Sequence, residues 1–269
     1  GATNGRVAVA DSLEQPVFSD RTEFAMTRSY AADLDALAAA VGSVTTGSAD
    51  GYAISVAGTF DPARESLVGS GHLADWLGKP LAADLATRLG KPVTLANDAE
   101  AAAFGEAVFG EHESDFWYVS WGTGIGGGLV TLENGVPHVT AAEIGHHVID
   151  RDDTLAPDGC GASGCWESFV GGEGVTRRYG HPPQKLTEAE WDLVIDHMAL
   201  GLANLAMIRP TASIVLAGGV AHHHADHLDR VEQRYAERLK IVPPPAIRQA
   251  AFGPDAGLVG ALALLKQAG

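Results

Sequence analysis

The chain has 269 residues, 46% of them hydrophobic and 19% charged, with a formal net charge of −16 at pH 7. That is the composition of a globular protein long enough for one large domain or two lobes. The acidity argues against a nucleic-acid partner, which needs clustered Lys and Arg, and Arg177-Arg178 is the only adjacent basic pair. Nothing reads as a signal peptide or as an apolar run of roughly 20 residues, so a cytoplasmic address without a membrane is expected. Two cysteines spaced CxxxxC cannot staple a chain of this size and fit a reducing compartment, as free thiols or metal ligands.

Hydrophobic periodicity predicts a strand over Arg6–Ala10, with 16–20 as a hairpin partner, and a helix over 30–41. A short buried strand follows over Tyr52–Ala57, ended by Gly58, then a helix over Leu81–Leu89 and a strand over Pro92–Ala96. Asp98 opens an alanine-rich helix reaching about Phe109, where a carboxylate is favoured as a cap. A second round begins with the aromatic strand Phe116–Trp121, a glycine run and a hairpin marked by Asn134-Gly135. A long helix over 187–208, a strand Ser213–Ala217, a helix over 225–239, a strand near 246–251 and a helix over 256–267 complete the pattern. Hairpins followed by βα alternation, twice over, predict two similar α/β lobes: 1–109, with a helix at about 256–269 packing back on it, and 110–255.

Three glycine turns adjoin strands. Gly122-Thr123-Gly124 lies in a GxGxxG run, yet the glycines lead into a hairpin rather than a helix, so the dinucleotide-fold context fails. A strand–turn–strand can instead wrap backbone N–H groups around a nucleotide phosphate. Gly1-Ala2-Thr3-Asn4 offers a second such turn, and Gly218-Gly219 a third suited to a flat adenosine. Between Glu143 and Glu167 lie both cysteines, Cys160 and Cys165, and two histidines, His146 and His147. Such a segment is expected to be a site, either a metal-stapled loop or part of a sugar clamp. The run His222-His223-His224 is read as surface histidines at the start of an exposed helix.

On these residues the chain resembles the ROK family of sugar kinases and repressors, within the hexokinase–actin ATPase superfamily. Gly1–Arg6 and Gly122–Gly128 resemble its phosphate loops, and Asn97-Asp98-Ala99 its catalytic pair. Glu143-Ile144-Gly145-His146 and the CGxxGCxE segment Cys160–Glu167 resemble its signature, 214–220 its adenosine motif and 255–261 its closing helix. The start is also similar to the other bacterial glucokinase family, but that likeness does not extend to CGxxGCxE. The resemblance implies a two-lobed, actin-like (ribonuclease H-like) α/β ATPase fold with sugar and ATP in the cleft between lobes, and often a homodimer. It implies transfer of the γ-phosphoryl group of ATP, with Mg²⁺, to a hexose 6-hydroxyl, glucose first, with N-acetylmannosamine, fructose or mannose as alternatives.

A sugar hydroxyl is a poor nucleophile, so a carboxylate must accept its proton, and Asp98 is the expected base. Asn97, Glu143, His146 and Glu167 supply the mixed donors and acceptors that ring hydroxyls require. Matching family positions hold zinc with one His and three Cys. Here Asp158 replaces the first cysteine, leaving His146, Cys160 and Cys165, with Asp158, His147 or water as a fourth ligand, or a loop held by packing without zinc. The family's first loop follows a strand bearing an aspartate two residues before the Gly1 position. His72 stands where many family kinases carry Asn. A non-catalytic sugar-sensing member is the alternative of another class, disfavoured because the sequence starts at the phosphate loop without a helix-turn-helix.

Overall fold

The structure, a computed structural model, describes residues 4–45, 47, 49–155 and 160–268. Its contacts divide into two units, Gly1–Gly110 with Asp255–Gly269, and Glu111–Pro254.

In the first unit β1 (Asn4–Val9) pairs antiparallel with β2 (Asp20–Ala25), Asn4 facing Ala25. The partner strand is thus later than the expected 16–20. Pro16 has no N–H to give a ladder, whereas 21–24 alternate exposed Arg21 and Glu23 with half-buried Thr22 and Phe24. α1 (Tyr30–Val44) follows. Asp33 in its first turn is buried and accepts from the Thr27 N–H at 2.7 Å and the Thr27 hydroxyl at 2.8 Å, which fixes the chain's entry into the helix.

Next come β3 (Tyr52–Val56), the short antiparallel pair β4 (Thr59–Phe60) and β5 (Leu67–Gly69), α2 (Leu81–Leu89), β6 (Val93–Asn97) and α3 (Asp98–Phe109). Gly90, at φ 76°, ends α2 in the left-handed conformation that glycine adopts without strain. β3 and β6 run parallel, Val56 opposite Asn97. Leu34, Leu67, Leu81, Leu85 and Leu95 form the core, beside an edge-on Tyr30–Trp76 pair.

The second unit opens with β7 (Phe116–Trp121), β8 (Ile125–Glu133) and β9 (Val136–Ala141). Asn134 and Gly135 join the last two with φ of 56° and 79°, the mirror-image turn whose twist suits a hairpin. α4 (Trp166–Val170), α5 (Gly172–Tyr179), α6 (Glu188–Ile208), β10 (Ser213–Ala217), α7 (Gly219–His223), α8 (Leu228–Arg238) and β11 (Ala246–Gln249) follow. The sheet order is β11-β10-β7-β8-β9, with β10 parallel to both β7 and β11. Antiparallel strands followed by parallel ones repeat the succession of the first unit.

α6, at 21 residues, is long and apolar enough to cross a bilayer by length and composition, which the sequence reading did not anticipate. It is a core helix nonetheless. Ile195, Met198 and Leu202 are fully buried, while Asp192 and Asp196 on the other side pair with Arg230, Arg234 and Arg238 of α8. Thr187 caps it with a reciprocal box: the Glu190 N–H donates to the Thr187 side chain and the Glu190 carboxylate accepts from the Thr187 N–H.

The last helix, α9 (Ala256–Ala268), returns to the first unit and packs on α3. A Cβ at Gly105 would lie 2.7 Å from the Gly260 nitrogen, and one at Gly260 would strike the Ala101 carbonyl. The two backbones meet because neither helix carries a side chain at the crossing.

Candidate active site

In the first unit, the junction of β6 and α3 carries Asn97 and Asp98. Asn97, rather than Asp98, is the helix cap: its Oδ1 accepts from the N–H groups of Ala99 at 2.9 Å and Glu100 at 3.1 Å. Its amide nitrogen donates to the Gly58 carbonyl at 2.9 Å, so the glycine after β3 helps orient the cap. Asp98 occupies the first helical position, half-buried, its Oδ1 accepting from Ala99 N–H at 2.9 Å. The start of a helix favours a carboxylate's negative charge.

A second tie holds this junction, and the motifs gave no sign of it. Arg64, itself at φ 58°, donates to Glu100 at 2.9 and 2.5 Å and to the Leu95 carbonyl at 3.4 Å. The bond to Glu100 holds the guanidinium above its ordinary pKa. One side chain thus clamps the strand before Asp98 and the helix after it. Of the first glycine turn, Gly1, Ala2 and Thr3 lie outside the described residues, while Asn4 begins β1.

In the second unit, two glycine turns follow neighbouring strands at their carboxyl ends. β7 leads into Gly122-Thr123-Gly124 and β10 into Gly218-Gly219, with Ser120 opposite Ala217 in the parallel register. The turns touch: a Cβ on Gly122 would lie 3.7 Å from the Gly219 nitrogen. Gly218, at φ 91°, lies so close to the Trp121 backbone that a Cβ would be 2.6 Å from its carbonyl carbon, which no residue but glycine allows. The first turn is braced by Gly122 N–H to the Gly124 carbonyl at 3.0 Å. Gly172 N–H donates to the Gly122 carbonyl and Glu173 N–H to that of Thr123, both at 2.9 Å. The crevice beyond the carboxyl ends of parallel strands is where such sheets bind ligands.

Glu167, in the first turn of α4, reaches this glycine turn. Its Oε2 accepts from the Ile125 N–H at 2.7 Å, and a side chain on Gly124 would fall on its carboxylate. Glu143 precedes a short 3-10 turn that His146 ends, their side chains 3.9 Å apart, with Glu143 exposed and His146 half-buried. The structure thus links Glu167 to the phosphate-type turn, a connection that motif spacing did not reveal.

His146, Cys160 and Cys165 come together, one ligand atom from each lying within 4.8 Å of the others. The His146 Nδ1 is buried without a hydrogen-bond partner among the described residues, so this donor set fits a bound ion. A nitrogen and two sulfurs suit zinc. His147, one alternative fourth ligand, points its Nδ1 to the Ile144 carbonyl at 2.6 Å and is not in that group. Asp158 lies outside the described residues.

The segment 143–167 has a further anchor. Arg178 of α5 donates to both oxygens of Asp153, at 3.2 and 2.9 Å, and lies over the Phe169 ring. Ile149 and Trp166 add backbone bonds to Gly164 and His147. The Arg178 hydrogen bond holds the Asp153 carboxyl below its ordinary pKa. Its stabilisation is therefore complete above about pH 3.9, the usual aspartate value, and is lost as the pH falls through the lowered one. Asp153 is nearly inaccessible, so an Arg178→Met variant is expected to lose about 2–3 kcal/mol, somewhat less than for a fully buried pair because Arg178 keeps some water contact. Urea unfolding at pH 7 measures that loss, and a difference between variant and parent that persists unchanged at pH 2 would contradict it.

The mixed α/β architecture is that of the actin-like ATPases. The chain belongs to the ROK family, whose model matches residues 1–268. It is 28% identical to the glucokinase of Streptomyces coelicolor, over 87% of this chain and 86% of the relative. It is 31% identical to the N-acetylmannosamine kinase of Haemophilus influenzae, over 71% and 68%. Among solved structures, a ROK family glucokinase from Streptomyces griseus in complex with glucose and AMPPNP superposes with a TM-score of 0.82 at 26% identity, covering 99% of this chain and 97% of that one.

Proposed function

We propose that the protein is an ATP-dependent hexose kinase that phosphorylates a sugar 6-hydroxyl, with glucose as the foremost substrate. The observation that carries this reading is the direct bond between Glu167 and the Gly122–Ile125 turn, which itself touches the Gly218-Gly219 turn. A sugar-type carboxylate and two nucleotide-type turns are thereby parts of one rigid assembly. The sugar kinases among the relatives support the same chemistry.

The amides of the glycine turns hold the ATP phosphates, with Gly218-Gly219 against the adenosine. Mg²⁺ supplies charge neutralisation on the phosphates when bound. Glu143, His146, Glu167 and Asn97 receive the sugar hydroxyls, and Asp98 accepts the 6-hydroxyl proton as oxygen attacks the γ-phosphorus. Zinc, where bound, is held by His146, Cys160 and Cys165, with Asp158 the candidate fourth ligand, and is structural. ATP consumption fits a cytoplasmic setting.

A coupled ADP-release assay over glucose, mannose, fructose, N-acetylmannosamine and N-acetylglucosamine tests the proposal. Turnover is expected with at least one hexose and to be fastest with glucose. Sugar binding with no turnover on any member would replace the kinase by a sensor. A faster amino sugar would overturn the glucose assignment alone.

A further inference from the structure

A second group of metal-binding side chains lies outside the residues used above. α7 ends at His223, a 3-10 turn covers Ala225–His227, and α8 begins at Leu228. That turn gathers His224, Asp226 and His227, one ligand atom of each within 4.8 Å of the others. The expectation of surface histidines holds for His222 and His223, which are exposed, and fails for His224. Its Nε2 is buried and has no hydrogen-bond partner among the described residues. His227 is only 7% exposed. Both rings pack on Trp191 of α6, with centroids at 4.6 and 4.5 Å, and they lie nearly parallel to each other. An unpartnered imidazole nitrogen in such surroundings is costly unless something binds it.

We propose that His224, Asp226 and His227 form a binding site for a divalent transition-metal ion of the zinc class. Two imidazoles and a carboxylate suit zinc, nickel or copper(II), whereas magnesium and calcium prefer all-oxygen sets. Ligand atoms around one tetrahedral zinc lie about 3.3 Å apart, given bonds of about 2.0 Å. His227 Nδ1 and Asp226 Oδ2 are already 3.8 Å apart, and the Asp226 side chain is 75% exposed, free to swing inward. One cation competes for this place: Arg230 donates to His227 Nδ1 at 3.3 Å. Arg230 also donates to Asp192 at 2.6 Å and Glu188 at 3.2 Å, so it stays paired when the imidazole turns to an ion. A bound ion would clasp the end of α7, the helix that follows Gly218, to α8.

Trp191 is the reporter, because a paramagnetic ion held by the two imidazoles lies against its ring and quenches its fluorescence. The full-length protein is titrated with nickel chloride, and zinc stoichiometry is read by competition with a chromophoric chelator. Saturable quenching is expected, lost in Trp191→Phe although that variant still binds nickel. His224→Ala and Asp226→Asn, both at partly open positions, are expected to remove the quenching and one zinc equivalent per chain. Asp226→Asn, at an exposed position, should leave the melting temperature of the metal-free protein unchanged. A double His222→Ala, His223→Ala variant is expected to retain both signals, as is Cys160→Ser for the quenching. Quenching that survives in His224→Ala, or that vanishes only in the His222, His223 pair, would overturn the proposal, as would the absence of nickel binding by the unaltered protein.

Discussion

An Asp98→Asn variant is expected to bind sugar about as well as the parent and to turn it over about 10²–10⁴ times more slowly, the usual worth of a positioned general base. That range corresponds to about 3–5 kcal/mol of transition-state stabilisation. The substitution is well matched to the local geometry. Asp98 uses Oδ1 to accept from the Ala99 N–H, and an asparagine oxygen can do the same, while Asn97 caps α3 independently. What the amide lacks is the capacity to take a proton. The readout is therefore a fall in kcat with little change in the sugar KM and an unchanged melting temperature. Full activity in this variant would remove Asp98 from the chemistry.

The second large effect is structural. Gly260→Leu is expected to destabilise the protein by about 3 kcal/mol, at the upper end for overpacking, and to lower its melting temperature by roughly 6–12 °C. The atoms in the way are backbone: the Ala101 carbonyl, with the Ala102 nitrogen 2.9 Å from the added Cβ. No rotamer change relieves that, so α3 and α9 must separate. Gly257→Ala, one turn earlier on α9, is the control, since its Cβ would meet only the Ser55 hydroxyl at an ordinary 3.6 Å. Equal stability of the two variants, measured by thermal unfolding, would contradict the close crossing. Because α3 begins with Asp98, the Leu variant should also lose activity below its melting temperature.

Elements with strong local signals were legible in the sequence. Leu81–Leu89, Phe116–Trp121 and Ser213–Ala217 coincide with α2, β7 and β10, and Asn134-Gly135 marked its hairpin. The β1 partner was misplaced because an acidic, proline-containing loop precedes a strand whose alternation is only half-buried. Short α4, α5 and α7 carry too few turns to show a helical period. For the candidate site, motif residues could be named but their connections could not. Glu167 to Ile125, Arg64 to Glu100 and Arg178 to Asp153 join positions 25–42 apart in sequence, and nothing local marks them as pairs. The cap assignment differed by one residue because both Asn and Asp suit a cap, and only the strand's last hydrogen-bonding position decides between them. The acids of α6, Asp192 and Asp196, pair with arginines of α8, while Ile195, Met198 and Leu202 enter the core.

The meeting of α3 with α9 has a consequence for the order in which the chain matures. Residues 111–254 form one uninterrupted stretch and can fold as soon as they leave the ribosome. The helix that opens with Asp98 is made earlier but must wait for residues 256–268, about 150 positions later, to fill its flank. A nascent chain would therefore carry a finished second unit while the helix bearing its proposed base was still half-built. On the proposed mechanism, phosphoryl transfer would begin only after residues 256–268 had been made, and a nick before α9 would abolish it while leaving the second unit folded.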